Sequence, residues 1–222
     1  MHRKVVAIDG PAGAGKTTVA RALAARLGYA YLPSGAFYRA LAWRALETGT
    51  PLDDEQALAR LADASAIDIR VDGGQCRARV DARDVSDALG SSDVSDAASR
   101  ISVFPEVRCR MVRLQRQMAE REPVVAEGRD MASVVFPAAE HKFFLDASAG
   151  ERARRRARDL QERGEAADEA ALAREIADRD ERDSSREAAP LRQVAGAMRV
   201  DTTGMTVEEV VERLLQLVER RP

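Results

Sequence analysis

Gly10, Gly15, Lys16 and Thr17 stand at the spacing G-x-x-x-x-G-K-[ST] inside the stretch GPAGAGKTT. Such a stretch does one kind of chemistry well. The small residues Gly10, Pro11, Ala12, Gly13, Ala14 and Gly15 let backbone wrap closely around phosphate oxygens. Lys16 brings a point charge to them, with Thr17 and Thr18 following. Of the 35 basic residues only Lys4, Lys16 and Lys142 are lysines, the rest being arginines. Lysine at position 16 therefore answers a need for a compact ammonium that a forked guanidinium does not meet. The motif implies a nucleoside triphosphate, without separating kinases from switches and motors.

Other charged residues carry the discrimination. Phosphoryl transfer passes through an anionic transition state, so a transferase needs cations around donor and acceptor and an arginine-bearing lid that excludes water. Two arginine-dense segments fit such a lid, although in so arginine-rich a chain they also read as solvated helix faces: ERARRRARDLQERG from Glu151, and REIADRDERDSSREAAPL from Arg174. In the second, Arg179, Asp183 and Arg186 fall at i, i+4 and i+7 on one helical face. A carboxylate between two arginines there holds sugar hydroxyls while the guanidiniums hold phosphates. The stretch AEGRDMASVVFP places Gly128-Arg129-Asp130 at a strand's carboxyl end, where open α/β sheets bind ligands. SGAFYR opens a helix the same way, with Ser34 as its cap and Arg39 in reach of an anion.

The elements that position these residues alternate. Val5–Ile8 is an apolar, β-branched run fit for a buried parallel strand, and Val19, Ala22, Leu23 and Leu27 recur at helical spacing until Gly28. The phosphate loop thus leads from a strand into a helix N-terminus, where exposed N–H groups and the helix dipole favour anions. Further strands are expected at Tyr29–Leu32, Val124–Ala126, Lys142–Leu145 and Ala197–Val200. Helices are expected over Ser34 to about Glu47, Asp53 to Ala64 with Asp53 or Asp54 as cap, and Pro105 to about Arg121. Three more are expected at about 149–163, 169–182 and 206–220. That alternation predicts an α/β fold with a parallel sheet covered on both faces. Residues 67–81, IDIRVDGGQCRARVD, alternate apolar and charged around Gly73-Gly74 and read as an amphipathic hairpin outside that sheet.

Composition sets limits. The 222 residues suit one α/β domain or a core with a small insertion. Net charge near −2 gives no general attraction to nucleic acid or an anionic membrane, and no apolar run reaches a membrane span. Cys76 and Cys109 form neither a disulfide framework nor a metal pattern, and His2 and His141 have no partner pattern. A cytoplasmic protein is the expectation.

Six stretches together resemble bacterial cytidylate kinase: GPAGAGKT, YLPSGAFYRA, DVSDAASRISVFPEVR with LQR, EGRDMASVVFP, FFLDAS and RDERDSSREAAPL. They run in the family's order from residue 5 to about residue 203. The resemblance implies a P-loop fold with a five-stranded parallel sheet, an enlarged monophosphate-binding subdomain and a lid. On this chain those become a core of about 1–59, 101–150 and 187–222, an insert of about 60–100 and a lid of about 151–186. It implies transfer of the γ-phosphoryl group of ATP to CMP or dCMP with Mg2+, by a monomer with no nucleic-acid or membrane partner.

Residue by residue, the resemblance implies that the loop from Gly10 to Thr18, with Lys16, holds the ATP phosphates and that Thr17 ligates magnesium. Ser34, Arg39 and Arg129 would hold the acceptor phosphate with Tyr38 nearby, and Ser99, Arg108 and Asp130 would read the cytosine edge. Arg179, Asp183 and Arg186 would close over ribose and phosphate, and Arg155 or Arg156 would contact the transferring group. Two positions depart from the family: Pro33 stands where an aspartate is usual, and Leu89-Gly90 where Ile-Arg is usual. Position 33 therefore carries no catalytic expectation. Three other readings are weighed: the same fold acting on UMP, another monophosphate or a small alcohol such as shikimate; a switch-type hydrolase, whose N-K-x-D motif is missing; and a non-catalytic nucleotide-binding regulator.

Overall fold

Apolar residues on both faces make Val5–Asp9 (β1) a central strand. Its alternation divides the protein: Val6 and Ile8 enter one hydrophobic core and Ala7 the other. The computed structural model describes residues 4–72, 75–162, 164 and 166–219. β1 pairs in parallel with Val124–Gly128 (β6) on one side and His141–Asp146 (β7) on the other. Ala30–Pro33 (β2) and Met198–Asp201 (β8) complete a parallel sheet of order β2-β6-β1-β7-β8. The register sets Asp9 beside Gly128 and Pro33 beside Glu127, so three strand ends meet at one edge.

Lys16–Leu27 (α1) and Val207–Glu219 (α8) cover one face, burying Val19, Leu23, Val210 and Leu214 against Ile8, Phe143 and Val200. Gly15 is the cap of α1 and offers no side chain, and the first turn holds no acid, which leaves its amides to an anion. The other face carries Ser34–Thr48 (α2), Glu55–Ala64 (α3), Ser92–Ile101 (α4) and Pro105–Ala119 (α5). Asp54 caps α3 by accepting from Ala57 N–H, and Pro105 is its helix's first residue, where a missing N–H costs nothing.

Ile67–Asp72 (β3) and Gln75–Val80 (β4) form the expected hairpin, in the register Ile67 to Val80 and Ile69 to Ala78; its Gly73-Gly74 turn lies outside the described residues. A two-residue strand, Arg83–Asp84 (β5), joins it. This small antiparallel sheet is separate from the main one but shares its second core, since Ile67, Ile69, Ala78 and Val80 pack with Leu41, Leu58 and Ile101. Ala149–Glu162 (α6) and Glu169–Ser185 (α7) pack on each other, and α7 reaches three residues beyond the expected end. Among the described residues no helix is long and apolar enough to cross a membrane.

Candidate active site

The phosphate-loop side is built where β1 turns into α1. Gly10 has φ 153°, and a Cβ there would stand 2.0 Å from the Leu145 carbonyl oxygen, so only glycine lets the chain leave β1 past β7. Lys16 is 5% exposed, and its Nζ donates to the Pro11 carbonyl at 2.6 Å. Burial, then the charge of Arg129, brings the lysine down to about 7. Thr17 donates its hydroxyl to Glu127 Oε1 at 3.2 Å, and the Tyr31 phenol donates to the same oxygen at 3.1 Å. Burial, then the Glu127 charge, drives the Tyr31 pKa far above the ordinary phenol value.

A second charged cluster is built from the end of β6 and from α7. Arg129 Nε donates to Asp183 Oδ2 at 2.7 Å, and Arg186 Nε donates to the Asp183 carbonyl at 3.2 Å. Arg179 lies near enough to lower Lys16, and burial followed by Arg129 brings the guanidinium itself down to about 10. Burial pushes Asp183 up, but Arg129, Arg186 and Arg179 outweigh it and hold its carboxyl below the usual range. Arg179 Nε and Arg186 Nη2 are buried without a hydrogen-bond partner. Three guanidiniums around one carboxylate, with two orphaned donors, call for a further anion. Arg39 is half-buried beside Gly35, and its charge also acts on Arg179. A Cβ on Gly128 would stand 2.5 Å from Ser34 Oγ, which places that serine against the strand end bearing Arg129.

Beside this cluster Arg108 and Asp130 form a buried ion pair. Arg108 Nη1 donates to the Ser102 carbonyl at 2.9 Å, and its guanidinium lies 5.7 Å from the centre of the Tyr38 ring. Ser99 is half-buried on α4, one turn from Ser102, whose hydroxyl donates to the Ser99 carbonyl at 2.8 Å. Below the pair, Asp9 accepts from the N–H groups of Met131 and Ala132 at 2.7 and 2.8 Å. These bonds fix a π-helical turn, Met131–Val135, directly after Asp130. Burial nonetheless pushes Asp9 up to about 6.

Residues 6–220 match the family model described as cytidylate kinase. The chain belongs to the cytidylate kinase family. It is 47% identical over 218 residues to the cytidylate kinase of Symbiobacterium thermophilum, covering 97% of this chain and 96% of that one. With the cytidylate kinase of Vibrio cholerae it shares 46% identity over 220 residues, 99% of this chain and 98% of the relative. A crystal structure of an uncharacterized protein from Eubacterium ventriosum superposes with a TM-score of 0.57 at 12% identity, covering 99% of this chain and 100% of the other, a likeness of fold.

In this member of the cytidylate kinase family three expectations need correction or refinement. Ser34 is not the cap of α2 but its first residue; Pro33 is the cap and offers no side-chain acceptor. Arg186 is not on a helical stripe, because α7 ends at Ser185 and Arg186 reaches Asp183 from the non-helical cap that follows. Arg155 donates to the Thr202 hydroxyl and carbonyl and to Glu151, although its guanidinium also passes Gly15; the charge of Arg156, by contrast, is felt by Arg179. Sequence reasoning missed Glu127, which directly precedes the Gly-Arg-Asp motif and faces Pro33 across the β2–β6 register. The available signal was an acid closing an otherwise apolar strand. Asp9 and Tyr31 were also passed over.

Proposed function

We propose that this enzyme transfers the γ-phosphoryl group of ATP to CMP or dCMP, giving ADP and CDP or dCDP. The observation that carries the reading is the arginine cluster of residues 129, 179 and 186 around Asp183, lying beside Lys16 on one side and the Arg108–Asp130 pair on the other. Membership of the cytidylate kinase family supports it, and favours CMP or dCMP over UMP, other monophosphates or a small alcohol as acceptor.

In this reading the amides of residues 13–18 and the Lys16 ammonium hold the ATP phosphates. Arg129, with Ser34 and Arg39, holds the acceptor phosphate. Asp183 engages ribose hydroxyls, and Arg179, Arg186 and Arg156 neutralise charge on the transferring group. Asp130 accepts from the exocyclic amine of cytosine, where uracil offers only an acceptor. No general base is needed, since the attacking phosphate oxygen is already an anion; positioning and charge neutralisation supply the rate.

Magnesium fits the donor side. Thr17 donates its hydroxyl hydrogen bond to Glu127 Oε1, which would leave the hydroxyl lone pairs free for a cation and hold them in one orientation. Among the described residues no three His, Cys, Asp or Glu side chains cluster into a protein cage, so the ion would rely on water and phosphate oxygens as magnesium commonly does. When bound, it would neutralise charge on the donor phosphates. Residues 60–100 would then form the acceptor-binding unit and 151–186 the lid of a monomeric cytoplasmic enzyme.

The test is ADP release from magnesium ATP against CMP, dCMP, UMP, AMP, GMP and shikimate. Turnover with CMP and dCMP, weak with UMP and absent with purines, is expected. Equal ADP release without acceptor would make the protein a hydrolase.

A further inference from the structure

The peptide joining Pro11 to Ala12 is gripped at both ends. Its carbonyl accepts from Lys16 Nζ at 2.6 Å, and its N–H donates to Asp180 Oδ1 at 3.0 Å. The next carbonyl, that of Ala12, accepts from Arg152 Nη1 at 3.0 Å, and Arg152 is itself ion-paired with Asp180. Arg152 Nε donates to the Ala147 carbonyl at 3.1 Å, which ties the guanidinium to the start of α6. The loop lies hard against that helix: Gly13 has φ 76°, and a Cβ there would stand 2.9 Å from Arg152 Cβ. Ala12 also packs with Ala153 and Ile176.

We propose that Asp180, together with Arg152, is a positioning residue for Lys16. The carboxylate fixes the orientation of the Pro11–Ala12 peptide, and that peptide's carbonyl sets where the ammonium stands. The inference rests on the reading of this loop as the ATP site.

The electrostatics favour one orientation only. With an anion at the N–H and a cation at the carbonyl, the peptide dipole is aligned at both ends, and such chained hydrogen bonds polarise one another. A flipped peptide would turn its carbonyl toward the Asp180 carboxylate and its N–H toward the Lys16 ammonium, both repulsive. Asp180 does this through the backbone, its carboxylate being engaged by the Ala12 N–H and by Arg152. The residue before it, Arg179, and the one three after, Asp183, belong to the acceptor cluster. One helix therefore bears both the arginine–carboxylate clamp and the group that sets the donor lysine.

A plain lid-anchoring ion pair would lower thermal stability and change nothing at Lys16, so the test reads Lys16 directly. The chain has three lysines, so protein labelled with 13C at the lysine ε-carbon gives three resolvable signals, with Lys4 and Lys142 as internal controls. In Asp180→Ala the Lys16 signal is expected to move while the controls stay. The KM for magnesium ATP should rise about tenfold and the KM for CMP less than about twofold, a modest displacement of one charged group. Asp180→Asn keeps an acceptor oxygen for the Ala12 N–H and should restore most of the ATP KM. An unmoved Lys16 signal with an unchanged ATP KM in Asp180→Ala overturns the proposal, even if melting temperature falls. Should that variant not fold, Arg152→Lys takes its place, with a smaller shift of the Lys16 signal expected and no shift overturning it. Failure of magnesium ATP to move Lys16 in the wild-type protein would instead overturn the loop reading, and the proposal with it.

Discussion

Arg108 and Asp130 pair inside the protein with 6% and 5% of their side chains exposed, one from α5 and the other from the turn after β6. A pair so deeply buried is weak evidence for stability, because desolvation offsets most of the Coulomb gain; removing one partner is another matter. Asp130→Ala should lower unfolding free energy by about 3–5 kcal/mol, since Arg108 is left as an uncompensated buried charge. Asp130→Asn keeps the shape and is the cleaner probe. Its ratio of kcat/KM for CMP over UMP should fall about tenfold or more, the cost of one charge-assisted hydrogen bond. An unchanged ratio would remove Asp130 from base recognition.

Lys16 gives a pH signature. Its folded value of about 7 lies below the ordinary 10.5, so between those limits the unfolded chain binds a proton that the folded chain releases. Stability should therefore rise with pH across that window, the penalty being complete below about 7. Donor phosphates favour the charged form, so ATP binding at pH 8 should take up a proton. Titration calorimetry in two buffers of different ionisation heat measures that uptake. Lys16→Met should abolish it and lower kcat by about 10²–10³, the range seen when one charge-stabilising donor is lost.

Glu127→Gln tests the metal. The amide keeps an oxygen for Thr17 and Tyr31 but loses the charge. Half-saturating magnesium should rise about 10- to 100-fold, as for other groups that orient metal ligands, while the KM for CMP stays within about twofold. A variant with wild-type magnesium dependence would separate Glu127 from the ion.

Arg129→Ala separates phosphate from nucleoside. CMP affinity should fall about 10- to 100-fold, while binding of cytidine, which has no phosphate, should barely change. Equal losses for both ligands would mean that Arg129 holds the pocket's shape rather than the acceptor anion.

Local signals made much of this architecture legible. Val5–Ile8 announces β1 by being apolar on both faces, the glycines mark the loop, and alternation from Ile67 to Val80 marks the hairpin. What escaped depends on distance. β5 is two residues long and exists only through pairing with Arg79 and Val80. The π-helical turn after Asp130 needs the carboxylate of Asp9, 122 residues away. Arg186 fits a helical stripe by spacing, yet α7 stops one residue short of it and the arginine reaches Asp183 from outside. Asp180 was invisible in its role because its partner is a backbone amide 168 residues distant. Glu127 was passed over because it continues a buried strand, where an acid reads as a boundary rather than as a ligand.

The hairpin sheet and the α6–α7 pair are footed unequally. The hairpin sheet is set into the same core as α2, α4 and the main sheet, so parting it from the sheet would expose side chains such as Ile67, Ala78 and Val80. The α6–α7 pair meets the phosphate loop through a far smaller apolar patch, Ala12 against Ala153, Ala173 and Ile176, backed by the charged contacts of Arg152. On the proposed assignment of the hairpin sheet to the acceptor unit and of α6–α7 to the lid, breathing of this enzyme should be lopsided: the hairpin sheet stays put while the helical arm swings. ADP then has a door that opens at small cost, and the pace of that door, rather than bond transfer, is what a viscosity series on kcat would detect.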